Sequence, residues 1–161
     1  MISATADISG ALQGLAGIPP QVMTALRDKM KILTINLQHH VVADKLQGQV
    51  LHHRTGALGR SIQTEVTESG EQVTGKVFSS GDVKYAAVHE YGFDGVVNVK
   101  PSIRTMVFGR EVAPFTVAGY SYHMHMPERS FLRSSLADQA EEIVAGIQKA
   151  AIFGARQAMG E

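Results

Sequence analysis

Two stripes of apolar residues at helical period bracket a middle stretch of period two, and that arrangement commits the chain to mixed α and β structure. Leu26, Met30, Leu33, Leu37 and Val41 recur at spacings of four, three, four and four, which puts them on one face of a helix predicted from about Gln21 to about Leu51. Pro19-Pro20 precedes it, and Pro20 suits a first helical turn because the N–H it lacks would have no partner there. A second stripe of Leu132, Leu136, Ala140, Ile143, Ile147 and Ala151 predicts another long helix, opened by Pro127 and Glu128. Glu128 would be favourable at the positive end of that helix's dipole.

Between the stripes, Ile62, Thr64 and Val66 alternate with Gln63, Glu65 and Thr67, as in a strand with one buried face. Ser69-Gly70-Glu71 reads as the turn and Val73 to Ser79 as the returning strand. Tyr85 to Tyr91 is Ala-rich and short, one or two helical turns, with Gly92 at the place of a left-handed cap. From Phe93 to Met126 the pattern is β-like again. Ile103–Phe108 and Glu111–Val117 flank Gly109-Arg110, read as the tight turn of an extended hairpin arm. Tyr120, Tyr122, Met124 and Met126 share one face of the last strand, opposite Ser121, His123 and His125; the apolar set is expected to face the core. In the N-terminal segment, residues 1–19, Asp7-Ile8-Ser9 is read as the cap of a short helix carrying Leu12 and Leu15. The expectation is a single α+β domain over residues 1–161, an antiparallel sheet of about four strands with two long helices on one face. The arm, residues 93–126, is inserted before the C-terminal helix.

Charge narrows the function. The chain carries 15 Lys+Arg against 15 Asp+Glu, which argues against a protein devoted to neutralising phosphates. From Val96 to Arg133 there are five basic residues against two acidic ones, a local excess of +3 that leaves −3 elsewhere. The absence of cysteine excludes disulfides, thiolate metal sites and a cysteine nucleophile. No window approaches about 18 consecutive apolar residues, so no membrane span is expected. Met1 to Gly17 lacks Lys and Arg, so the basic flank of a signal peptide is missing and the chain reads as mature, soluble protein.

Catalytic chemistry finds little footing. His39-His40 and His52-His53 are adjacent pairs, and neighbours on a helix point about 100° apart. His123 and His125 share a strand face, and a metal-dependent enzyme using them with Glu90 is the enzymatic alternative, although two histidines fall short of the three or four ligands of a zinc centre. No Gly-x-Ser-x-Gly elbow and no phosphate-binding Gly-x-x-x-x-Gly-Lys run is present. Glu90 stands in an apolar segment, so burial and a partner are expected, with Arg129 and Arg133 as candidates. It is either a general base with a raised pKa or half of a brace tying the short helix to the long one, and the brace is the expectation. No catalytic residue, metal or cofactor is expected.

Three blocks in order carry a family resemblance. They are Thr55-Gly56-Ala57-Leu58-Gly59-Arg60-Ser61-Ile62, then Tyr85-Ala86-Ala87-Val88-His89-Glu90-Tyr91-Gly92, then Met126-Pro127-Glu128-Arg129-Ser130-Phe131-Leu132-Arg133. From about Pro20 onward the chain resembles the neck or tail-completion proteins of tailed bacteriophages, also described as minor tail protein Z-like. The matching positions are Thr55, Gly56, Leu58, Ile62, Tyr85, Glu90, Gly92, Pro127, Arg129, Phe131 and Leu132. Gly59 replaces a common basic residue, Phe93 follows Gly92 in place of Thr or Ser, and the insert from Asp94 to His125 is long. The resemblance implies a structural virion protein of the head–tail junction, not an enzyme, assembled in the host cytoplasm as a homo-oligomeric ring of six copies, with twelve as the second choice. Its partners would be the head connector or head-closure protein on one side and the tail terminator or tail tube protein on the other, with DNA passing unread through the lumen. A tail terminator or head-closure ring protein is the alternative within the same assembly. The arm, with Arg104, Phe108, Gly109 and Arg110 towards its tip, is expected to reach a neighbouring subunit or the adjacent ring.

Overall fold

The protein's structure, a computed structural model, describes the backbone of residues 2–6 and the whole of residues 17–48, 50–51 and 56–160. It is an α+β fold. Strand β1 (Ile2–Ala6) is followed by helix α1 (Pro20–His40), a short helix α2 (Ala57–Ser61), strands β2 (Ile62–Ser69) and β3 (Gln72–Ser79), and helix α3 (Tyr85–Tyr91). Strands β4 (Phe93–Val99), β5 (Ser102–Val107), β6 (Arg110–Val117) and β7 (Tyr120–Met126) then precede helices α4 (Leu132–Asp138) and α5 (Ala140–Met159).

The body sheet has three strands, where about four were expected, in the antiparallel order β1-β3-β2. Ile2 to Ala6 pairs with Ser79 to Gly75, and Ile62 to Ser69 pairs with Ser79 to Gln72. The helix read around Asp7, with Leu12 and Leu15, lies outside the described residues. In central β3, Val73, Gly75, Val77 and Ser79 are buried while the residues between them are half-exposed, so one face of the sheet takes the helices. Gly75 permits that contact at close range: a Cβ there would stand 2.6 Å from Thr34 Cγ2 and 2.7 Å from Met30 Sδ.

Helix α1 buries Leu26, Met30, Leu33 and Leu37 as its stripe requires. It stops at His40, short of Leu51, and passes into one π-helical turn over Val41–Lys45. The apolar spacing accounts for this. Val41 and Leu46, five residues apart, are both buried, and the wider turn, closed by the Leu46 N–H on the Val41 carbonyl at 3.0 Å, keeps both facing inward.

The C-terminal helix begins at Leu132, later than Pro127-Glu128, and loses helical geometry at Gln139 (φ −101, ψ 4). Ala140, expected on the stripe, is exposed. The single-residue interruption lets α4 follow the core around Phe131 and Leu132 while α5 runs antiparallel along α1. There the helices nearly touch: a Cβ on Gly154 would stand 2.5 Å from Val22 Cα.

The arm is one hairpin built from two ribbons. Phe93 to Val99 face Met126 to Tyr120, and Ser102 to Arg104 face Val117 to Phe115 in continuous register. A bulge then shifts Met106 opposite Glu111, in the part of β6 that contains Pro114, a residue that cannot donate to a ladder. The tip turns at Phe108-Gly109, both with positive φ (47 and 77), one residue earlier than the Gly109-Arg110 reading; Arg110 opens β6. The apolar face of β7 does not meet the core. Tyr120 is 56% exposed and Tyr122 44%, their rings stacked at 5.9 Å, because the strands of the arm pack chiefly on one another.

Candidate functional site at the base of the arm

The three sequence blocks converge. Leu58 and Ile62 from the first, Ala86 from the second, and Phe131 and Leu132 from the third share one buried cluster with Leu37, Val41 and Leu46. Thr55 lies outside the described residues. Gly56 takes a left-handed conformation (φ 68) that starts α2. Tyr85 is exposed and meets His89 edge-on at 5.8 Å. Pro127 is exposed between β7 and α4. At Gly92 (φ 72), a Cβ would stand 2.9 Å from the Met126 carbonyl oxygen and 3.0 Å from the Glu128 nitrogen, so glycine is what lets the two feet of the arm close together.

Glu90 is the centre of this junction and is fully buried. Its Oε2 accepts the N–H groups of Phe131 and Leu132 at 2.8 and 2.9 Å. Oε1 accepts the Ser130 hydroxyl at 2.8 Å, the Arg133 N–H at 3.0 Å and Arg133 Nε at 3.1 Å. The first N–H groups of a helix lack internal partners and carry partial positive charge; here a carboxylate from another helix fills the start of α4. Burial by itself pushes the Glu90 carboxyl up, but the N–H groups of Leu132, Arg133 and Phe131 and the Ser130 hydroxyl outweigh it and hold the group below the ordinary carboxylate range. That is the reverse of a poised general base.

The brace runs through Arg133. Its Nη2 donates to the Glu90 main-chain carbonyl at 2.7 Å and to Glu128 Oε1 at 2.8 Å, and its guanidinium lies 4.8 Å above the Tyr91 ring. Arg129 takes part differently from the expectation: its main-chain N–H donates to the His89 carbonyl at 2.8 Å, while its exposed side chain makes no ion pair with Glu90. Burial and then the charge of Arg129 push the His89 imidazole below its usual pKa.

The histidines do not converge with Glu90. His123 Nε2 and His125 Nδ1 each stand 3.0 Å from Asp94, one on either carboxylate oxygen, on the exposed face of the β4–β7 ribbon. Among the described residues no group of three or more His, Cys, Asp or Glu side chains is placed to hold a metal ion. His52 and His53 lie outside the described residues. His40 stands 3.5 Å from Asp44 and 3.9 Å from Asp138, and Asp138 binds Lys45 Nζ at 2.6 Å. The hydrogen bond from Lys45 holds the Asp138 carboxyl below its usual range. Sequence reasoning missed this pair, although a lysine four residues after Val41, on the apolar stripe, was a signal for it.

At the tip, Phe108 is fully exposed. Arg104 stands opposite Phe115 and Arg110 opposite Val107. Among the described residues no helix is long and apolar enough to cross a membrane. Compared with protein-family models, with curated proteins and with solved structures, the chain matches none.

Proposed function

We propose that the chain is a structural virion protein of the head–tail junction of a tailed bacteriophage, a neck or tail-completion subunit whose copies form a ring joining the head connector to the tail. The observation that carries this reading is the arm, which holds Tyr120, Tyr122, Ile103 and Phe108 outward on a ribbon that its own subunit leaves uncovered. An isolated two-stranded ribbon is marginal in water, and an apolar face of this kind is normally covered by a partner. An arm meeting a different surface on the next copy makes a heterologous contact, which closes into a ring when the rotation permits.

The Glu90 junction supports the same reading. The most suggestive acid of the sequence spends its acceptor capacity anchoring the arm, and the neutral net charge suits a lumen that lets DNA pass unread. Six copies are the expected count from the resemblance. The test is reconstitution: phage lacking this protein should accumulate filled heads and finished tails that do not join, and the purified protein should restore infectious particles. Full joining in its absence overturns the reading.

A further inference from the structure

The tip of the arm joins three properties. Phe108 is fully exposed, and it has φ +47, a backbone conformation that a bulky side chain adopts only at a cost. Arg110, two residues on, has no carboxylate partner among the described residues, and neither do Lys100 and Arg104. A strained aromatic beside unpaired cations is poorly suited to free solvent and well suited to an anchor.

A complementary surface lies on the outer side of the α1–α5 pair. Ile32, Asn36 and His39 follow one another at helical spacing on α1, and Glu142, Gly146 and Phe153 do so on α5. Gly146 abuts Lys29 and Leu33, so the two rows border one seam. Ile32 and Phe153 are exposed beside it. The seam ends in a polar recess of about 250 Å³ lined by Asn36, His39, His40, Asp44, Gln139 and Glu142. Glu142 and its neighbour Glu141 pair with no cation among the described residues.

We propose that the arm tip of one copy seats on this seam of a second copy, with Arg110 against the Glu142 carboxylate and Phe108 against Ile32. This rests on the reading of the arm as an inter-subunit element and names the surface that receives it. Charge selects the occupant. Lys100, Arg104 and Arg110 outnumber Glu111 on the distal half of the arm, so two arms placed together bring like charges into contact, whereas the recess offers Glu142, a carboxylate with no cation partner among the described residues.

The experiment uses the full chain, whose lack of cysteine allows clean cross-linking. Arg110→Glu should weaken self-association, measured by sedimentation, about tenfold or more, and the charge-swapped Arg110→Glu/Glu142→Arg should regain most of it. Under oxidation, Phe108→Cys/Ile32→Cys should give a ladder of linked copies, while each single variant gives none. Unchanged association of Arg110→Glu, or no recovery in the swap, overturns the docking site and leaves the ring reading standing. Linkage of Phe108→Cys alone assigns the tip to an arm–arm contact and overturns the site as well. A native chain that stays monomeric at every concentration, and heads and tails that join without it, overturn the ring reading together with the proposal.

Discussion

Arg133 grips Glu90 at both ends, its Nε on the carboxylate at 3.1 Å and its Nη2 on the main-chain carbonyl at 2.7 Å. The helix that carries Arg133 therefore holds the end of α3 by side chain and backbone together. Truncating the acid removes the acceptor for five donors from Ser130, Phe131, Leu132 and Arg133. Glu90→Ala should cost about 3–5 kcal/mol, as for other broken buried pairs, and lower Tm by about 10 °C in a chain of this size. An unchanged melting temperature would show the junction to be dispensable.

Acid should weaken the fold in two stages. The His89 pKa is lowered in the fold, so its contribution is present above the unfolded value of about 6.5 and is lost as pH falls through the folded one. Glu90, also lowered, keeps its contribution above about 4.3 and loses it on further acidification. Urea unfolding across pH should show His89→Gln flattening the upper stage only and Glu90→Gln the lower only. A single shared transition in both variants contradicts the assignment.

Gly154 sets the approach of α5 to α1. Gly154→Val drives side-chain atoms into the Val22 backbone and should destabilise by about 1–3 kcal/mol, the usual range for overpacking. Ala145, half-exposed on the same helix, serves as control: Ala145→Val should change unfolding by less than about 0.5 kcal/mol.

Lys45 and Asp138 should respond unequally. Lys45 is nearly buried while Asp138 is about half exposed. Removing the acid strands an ammonium, whereas an apolar replacement of the lysine strands nothing buried. Denaturant midpoints should therefore fall more in Asp138→Ala than in Lys45→Met; the opposite order would mean the lysine's charge itself is needed.

Phe108→Gly separates strain from function. Glycine accepts φ +47 freely, so thermal stability of the single subunit should hold or rise by about 1 kcal/mol, while self-association falls. A variant that melts earlier and associates normally would give Phe108 a role in the hairpin alone.

Legibility followed the range of the cause. The stripe from Leu26 to Val41 announced α1 because its signal is local, and the alternation from Ile62 to Thr67 announced β2 for the same reason. The π turn needed Leu46 to be recognised as the next buried residue, a fact decided by a core assembled from Leu58, Ile62 and Phe131. Strand β1 went unread although Ile2, Ala4 and Ala6 alternate with Ser3 and Thr5, because alanine has little strand preference and five residues become a strand here by pairing with β3. The alternation of Tyr120, Tyr122 and Met124 gave the face correctly but not what lies against it, since periodicity cannot tell a core from an exposed ribbon face. Burial of Glu90 was readable from its apolar neighbours. Arg133 was readable as its partner too; the Ser130 hydroxyl and the N–H groups of Phe131, Leu132 and Arg133 were not, because backbone donors about forty positions downstream leave no mark in the pattern of side chains.

The two feet of the arm land on either side of Glu90: β4 begins at Phe93, directly after Gly92 has closed α3, and β7 ends at Met126, just ahead of Ser130. A load on the arm is thus carried to the five hydrogen bonds that the Glu90 carboxylate accepts. Several bonds sharing one load resist peeling as a riveted bracket does, and because the Glu90 grip is set against buried Phe131 and Leu132, pulling the arm free means opening the core.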